Sequence, residues 1–278
     1  MGEIKSSKKS DQYFWKENFE TFEGEEAVRY HEGVTKYPFN LNLYDVLMEK
    51  LLGPILNSGR PLKILDAGGG TGKWAIYFAE KGHSVTLMDV AEPMLKVAKE
   101  AAEQEGLGSS IIIEKGDIVN LAYEDESFDF VFSDRNPISH CGRKEDSYKS
   151  VQELYRVLKP GGTILGCVLN RLRKVAQMSM ELDLDRALKL VAEGDLKRSE
   201  NEYTHYYLLD ELKDVLESKG FNEVKICGTT IFAEFIPTAW VLDEIPVKKL
   251  LELEEKAREY PEMTSYGVRF HFTAKKPC

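Results

Sequence analysis

Apolar residues in this chain come in short runs that end at acids or glycines, and the segments between them place apolar positions three and four apart. Lys63-Ile64-Leu65-Asp66-Ala67 reads as a strand, the glycine cluster from 68 to 72 as a tight loop, and Trp74-Ala75-Ile76-Tyr77-Phe78-Ala79 as the start of a helix. The unit then recurs. Ser84-Val85-Thr86-Leu87-Met88-Asp89-Val90 is a second strand ending in an acid, followed by a helix from about Glu92 to Glu105, with Pro93 in its first turn and Gly106 at its end. Ile111-Ile112-Ile113-Glu114-Lys115 is a third strand that leads into Gly116-Asp117-Ile118, and the acidic turn Glu124-Asp125-Glu126-Ser127 announces a fourth at Phe128 to Ser133. Strands alternating with helices imply a parallel sheet with right-handed crossovers. Ligands in such sheets bind beyond the carboxyl ends of the strands, where Asp66, Asp89, Asp117 and Ser133 all fall.

The loop after the first strand is built for a nucleotide-like ligand, because glycines at 68, 70 and 72 expose bare backbone beside a helix N-terminus. Two phosphate-binding patterns fail. A P-loop needs Gly, four residues, then Gly-Lys-Ser/Thr, and the chain has Ala67 and Trp74 at its two ends; the dinucleotide pattern needs a glycine where Lys73 stands. What remains, Asp-x-Gly-x-Gly-x-Gly from Asp66 through Gly72, resembles motif I of the class I S-adenosylmethionine-dependent methyltransferases. Leu154 to Leu165, with Pro160-Gly161-Gly162, looks like the helix end, turn and fifth strand of the same family. The resemblance covers about Leu62 to Leu169. It implies an α/β, Rossmann-like fold with a mostly parallel seven-stranded sheet flanked by helices. It also implies S-adenosylmethionine as cofactor, with S-adenosylhomocysteine as product. On this reading Asp66, Gly68, Gly70 and Gly72 line the backbone side of the cofactor, Asp89 with Val90 meets the ribose, Met94 lies close by, Asp117 with Ile118 meets the adenine, and Ser133 the methionine moiety. Any one of these acids alone would read as an ordinary helix cap; three in register with the glycines do not.

The chain divides into an N-terminal helical cap segment at 1–60, a cofactor-binding core at 61–169, a helical cap insert at 170–207 and a completion of the sheet at 208–278. The first segment opens polar and lysine-rich, then gathers Tyr13, Phe14, Trp15, Phe19 and Phe22. Met178, Met180, Leu182, Leu184, Leu188 and Leu190 recur at helical spacing in the insert, and such a stripe is more often core than pocket. After a helix at Leu208 to Lys219 come strands at Val224 to Cys227 and Gly267 to Ala274, which the resemblance implies form an antiparallel hairpin at one edge, separated here by an excursion with a helix at about Val247 to Tyr260.

Composition narrows the partners. Among 278 residues, 47 acidic against 37 basic side chains give a formal charge of −10, which repels a phosphate backbone. Four scattered cysteines and five scattered histidines suggest neither a disulfide framework nor a metal site. No signal peptide or membrane span is evident, which points to a cytoplasmic protein, a monomer or homodimer, acting on a small molecule. Methyl transfer asks for alignment, exclusion of water and a deprotonated nucleophile. The loop Ser133 to His140 is the place to look for catalytic groups: His140 is the candidate base, and Arg135 a candidate for a substrate carboxylate, with Tyr30 and Tyr37 as further substrate contacts. Asn136-Pro137-Ile138-Ser139 lacks the second proline and the aromatic of the motif used to methylate amides. Two other readings stand beside this one. Gly33-Val34-Thr35-Lys36, Leu250 to Glu254 and Phe270 to Pro277 are similar to bacterial enzymes that esterify a carboxymethoxy-modified uridine of tRNA, although Asn40 stands where an arginine would contact the cofactor. The third is a non-catalytic protein using the same fold for binding.

Overall fold

A computed structural model describes residues 38–57, 59–199, 202–233 and 247–278. Tyr30 and Tyr37, the aromatic cluster at 13–22 and the Gly33 to Lys36 stretch lie outside the described residues. In chain order the elements are α1 (Pro38–Leu56), β1 (Lys63–Ala67), α2 (Lys73–Glu80), β2 (Ser84–Asp89), α3 (Glu92–Gln104), β3 (Ile111–Lys115) and β4 (Phe128–Ser133). Then come α4 (Pro137–His140), α5 (Lys144–Val157), β5 (Leu158–Leu169), α6 (Arg171–Met180), α7 (Leu184–Glu193), β6 (Asp195–Lys197) and β7 (Tyr203–His205). The chain finishes with α8 (Leu209–Ser218), β8 (Asn222–Thr229), α9 (Val247–Ala257), a 3-10 helix (Pro261–Tyr266) and β9 (Arg269–Lys275). Seven strands form one sheet in the order β3-β2-β1-β4-β5-β9-β8, parallel from β3 to β5, with β9 antiparallel to both its neighbours. The parallel part is what the alternating runs predict, and the whole is the Rossmann-like, mostly parallel seven-stranded sheet that the resemblance implies.

Side chains alternate across the sheet with period two, so each strand feeds two cores. Ile64, Val85, Leu87, Phe130, Phe132 and Leu165 pack under α1, α2 and α3. Leu65, Val131, Ile164, Val168, Phe270 and Phe272 pack against α5 and α8. On the first face Phe78 meets Phe132 edge-on with centroids 5.2 Å apart, and Tyr44, Met48 and Leu52 recur every fourth residue to bury one stripe of α1. That stripe packs α1 on this face, with Tyr44 reaching Asp134 just past the end of β4. Among the described residues no helix is long and apolar enough to cross a membrane.

The 170–207 stretch departs from expectation in two ways. It is helical only as far as Glu193; β6 and β7 then pair as a short antiparallel hairpin, Asp195 opposite His205. The hairpin escapes a periodicity argument because its buried residues are polar: Thr204 and His205 are sequestered, and His205 sits between Asp195 at 2.7 Å and Glu211 at 3.2 Å. The apolar stripe is also mostly outside. Met178 and Leu190 are buried with Ala187, whereas Met180, Leu184, Leu188 at 71% and Leu182 at 81% are exposed. Two short helices packed on each other can bury only one narrow seam. At the base, Asn170 bridges Tyr207, accepts from the N–H of Leu172 at 3.0 Å as the cap of α6, and donates to the carbonyls of Ser265 and Gly267 at 2.8 and 2.7 Å.

Candidate active site

The cofactor loop starts where β1 ends. Gly68 and Gly69 both donate to the carbonyl of Met88 on β2, at 2.7 and 3.2 Å, so the chain turns over the end of the neighbouring strand. Gly68, Gly70 and Gly72 have φ of +78°, +54° and +84°, and Gly72 caps α2 in the left-handed conformation. A Cβ on Gly68 would stand 2.3 Å from Pro137, so the loop after β4 presses against the glycine loop; a Cβ on Gly70 would meet nothing within 4 Å. The open side of the loop is thus at Gly70. Gly69, which the motif treats as variable, is also constrained: its Cβ would lie 2.7 Å from both Asp66 Oδ2 and Leu87. Lys73 does not serve a phosphate. Its ammonium reaches both carboxylate oxygens of Asp45, at 2.7 and 2.6 Å, and ties α1 to the start of α2.

Three buried carboxylates gather at the strand ends. Asp89 accepts from the N–H of Gly70 and of Ala91, both at 2.9 Å, and thereby joins the glycine loop to the β2 end; each oxygen retains a lone pair for a further donor. Burial raises its pKa against these donors. Asp66 is raised well above the carboxylate range, first by burial, then by Asp134 and Asp89, and its Oδ2 has no hydrogen-bond partner among the described residues. Carboxylates crowded in this way are stabilised by a cation. Val90 is half-buried beside Asp89, and Met94 is buried in α3. Asp117 lies just past β3, exposed, with Oδ1 accepting from Val119 at 2.9 Å, and Ile118 is buried behind it. Ser133, expected near the methionine moiety, is fully buried, and its hydroxyl donates to the carbonyl of Ala67 at 3.0 Å, bracing β4 against β1.

The loop after β4 is strained, with φ of +63° at Arg135 and +70° at Asn136. It delivers Asp134 into a buried cluster that local sequence does not reveal, because its partners come from α1, β8 and β9. Tyr44 donates to Asp134 Oδ1 and stands 2.9 Å from His271 Nε2; His271 Nε2 is 3.1 Å from the same Oδ1, and its Nδ1 is 2.9 Å from the Thr229 hydroxyl. Burial alone would raise the Asp134 carboxyl, but His271, Arg135 and Tyr44 outweigh it and hold the carboxyl down at about 2. Burial lowers His271 despite Asp134, and burial together with Asp134 keeps Tyr44 protonated. Asp134 Oδ2 is buried without a hydrogen-bond partner among the described residues. Arg135 stacks over the Tyr44 ring at 4.2 Å, with Nε 4.0 Å from Asp134 Oδ2. The candidate carboxylate binder therefore lies against an acid.

Asp134, Cys167 and His271 bring an oxygen, a sulfur and a nitrogen within 4.8 Å of one another. Both imidazole nitrogens have partners, the Cys167 thiol donates to Asn136 Oδ1 at 3.1 Å, and burial raises that thiol far above neutrality. The donor set suits a hydrogen-bond network better than a metal, whose ligands must be deprotonated. His140, the expected base, stands at the end of α4. Burial, then Arg198 and Arg269, push its pKa down to about 3, and Nδ1 lies 3.2 Å from Thr204 Oγ1 and 3.3 Å from Arg198. An imidazole so weakly basic contributes little as a proton acceptor near neutral pH.

The residues present fit S-adenosylmethionine, whose ammonium and sulfonium leave it net cationic: the loop is open at Gly70, Asp89 offers acceptors at the β2 end, and Asp66 Oδ2 has no hydrogen-bond partner among the described residues. Comparisons with known proteins agree. A family model described as "Methyltransferase domain" matches residues 64–162. The chain is 28% identical over 221 residues to the tRNA 5-carboxymethoxyuridine methyltransferase of Escherichia coli, covering 78% of this chain and 80% of that one. It is 31% identical over 184 residues to the demethylmenaquinone methyltransferase of Staphylococcus haemolyticus, covering 60% and 72%. In fold it resembles phosphoethanolamine N-methyltransferase 2 of Haemonchus contortus in complex with S-adenosyl-L-methionine, with TM-score 0.61 and 19% identity over 94% of this chain and 60% of that one. A methyltransferase of Methanosarcina mazei gives TM-score 0.54 and 21% identity over 78% and 93%. With 72% of a 31% identical methyltransferase covered and the methyltransferase domain matched in its core, the chain belongs to the S-adenosylmethionine-dependent methyltransferases.

Proposed function

We propose that this enzyme methylates an oxygen or nitrogen nucleophile of a small molecule by in-line displacement. The observation that carries the reading is the cluster of Asp66, Asp89 and Asp134 at neighbouring strand ends, in a chain of net charge −10. Its field attracts a cationic cofactor and repels a polyphosphate chain. When bound, the cofactor supplies an electrophilic methyl group. Gly68, Gly70 and Gly72 give it a backbone surface, Asp89 accepts from its ribose hydroxyls, and Asp117 with Ile118 borders the adenine. The loop after β4 and helix α1 exclude water from the acceptor side.

A second reading, methylation of a carboxymethoxy-modified wobble uridine in tRNA, is favoured by one observation: the similarity to the Escherichia coli tRNA enzyme spans most of both chains. One experiment separates the two. Purified protein receives S-adenosylmethionine labelled in the methyl group, together with small-metabolite and tRNA fractions kept apart. Label in a small organic product is expected, and mass identifies the acceptor; label confined to nuclease-sensitive material would replace this reading with the tRNA one.

A further inference from the structure

The Asp134 carboxylate is satisfied on one side only. Oδ1 receives the Tyr44 phenol and faces His271, itself fixed by Thr229, whereas Oδ2 is buried with no hydrogen-bond partner among the described residues. Arg135 Nε, at 4.0 Å, is beyond hydrogen-bond reach of it. A buried anionic oxygen without a donor is unfavourable, and it marks a place where a ligand can supply one. That place is at the cofactor's side: Phe132 pairs with Asp66 in the sheet, and Pro137, three residues past Asp134, presses on Gly68.

We propose that Asp134 Oδ2 anchors a nitrogen acceptor, so that the substrate is a small neutral amine whose N–H donates to this oxygen while its lone pair is methylated. The inference rests on the small-molecule reading above and narrows its nucleophile to nitrogen. The nitrogen lone pair forms the N–C bond as the C–S bond breaks with its electron pair left on sulfur, so positive charge passes from sulfur to nitrogen. The product is an alkylammonium paired with Asp134, which gives its proton to water after release. No base takes part in the bond-forming step. A fixed carboxylate meets charge where it develops, without reorganisation.

An alcohol acceptor would have to lose its proton to a nearby group, and the cluster is poorly supplied with one. Asp134 is held down at about 2 and is therefore a weak proton acceptor, Tyr44 on α1 and Cys167 on β5 keep their protons, and His271 is lowered below the ordinary imidazole range. His140, on the same loop, is weaker still as a base.

The test uses binding as well as turnover. Calorimetry on the full chain compares S-adenosylhomocysteine with sinefungin, an analogue that carries an amine-bearing carbon in place of sulfur and so presents an ammonium where the transferred methyl group would stand. Sinefungin is expected to bind about tenfold more tightly to the wild-type protein, the ratio expected of one charge-assisted hydrogen bond. In Asp134→Asn the ratio should fall to about one, and in Tyr44→Phe, which keeps the carboxylate, a preference should persist. Reading the ratio within each variant removes any general loss of folding or cofactor affinity. A wild-type ratio near one, or a ratio unchanged in Asp134→Asn, overturns the proposal. In the labelled-methyl experiment an N-methylated amine is the expected product. Label found only in an ether or ester overturns the amine and leaves the small-molecule reading standing, whereas label only in tRNA ends both.

Discussion

Gly68 and Gly70 are two residues apart in one loop and carry glycine for different reasons. At Gly68 both space and backbone forbid a side chain: Gly68→Ala puts Cβ 2.3 Å from Pro137 at φ +78° and should cost more than about 2 kcal/mol in urea denaturation. At Gly70 only φ resists, so Gly70→Ala should cost about 1 kcal/mol of stability while placing a methyl group on the open side of the loop. Calorimetry with S-adenosylhomocysteine should then show weakened binding in a protein that still folds; unchanged affinity would move the cofactor off this face. Asp89→Ala removes the proposed ribose acceptor and orphans the N–H groups of Gly70 and Ala91, and should weaken cofactor binding by at least about 1 kcal/mol in the same measurement. The histidines make the matching point about basicity. His140 is half-buried and His271 buried, but the first faces Arg198 and Arg269 and the second a carboxylate, a difference of neighbours that residue type does not carry.

Among the elements, α1 and α9 do work that no motif announces. Adjacent residues of α1 reach two different parts of the site, Tyr44 to Asp134 and Asp45 to Lys73, so one helix joins the cofactor loop to the acceptor loop. In α9, Glu254 is fully buried and accepts from the N–H groups of Ile231, Phe232 and Ala233 at 2.9, 2.7 and 3.0 Å, holding the turn beyond β8. Glu254→Ala orphans all three donors and should lower unfolding free energy by about 3 kcal/mol, with Glu254→Gln costing less because one acceptor oxygen remains. Equal urea midpoints for wild type and Glu254→Ala would show that water replaces the carboxylate there. The sequence marks Glu254 only as one charge among many on an amphipathic helix. Its importance comes from a turn more than twenty residues earlier.

For the molecule as a whole, the depressed carboxyls set an acid limit. Asp134 is held at about 2 by His271, Arg135 and Tyr44 against its burial, and Glu211 at about 2 by His205, Tyr148 and Arg171 against its own. A carboxyl whose folded pKa lies below its unfolded value of about 4 contributes stability that is present above pH 4 and lost as pH falls toward 2. Urea midpoints should therefore decline steeply between about pH 4 and pH 2, and Asp134→Asn should flatten part of that decline. An equally steep decline in the variant would assign the acid sensitivity to other groups. Asp66 has the opposite sign: its raised pKa favours the protonated folded state, and a bound cation would draw it back toward ionisation.

The order of strands β1 to β5, the glycine loop and the acids at the strand ends were legible in the sequence, because each depends on residues adjacent in the chain: a run, a turn, a helix start. The edge strands β8 and β9 were legible for the same reason, though the excursion between them was legible only as a helix. Tertiary structure decided the acceptor side. Tyr44, Asp134, Thr229 and His271 meet only after α1 packs on the sheet and β9 inserts between β5 and β8, and the pairs that matter are separated by 90 and 137 residues. It also decided which way the 170–207 stretch faces, since helical spacing states that an apolar stripe exists and not whether a partner covers it. Local pattern determines where the chain turns and which ends bear charge; burial and the company of distant side chains determine what those charges do.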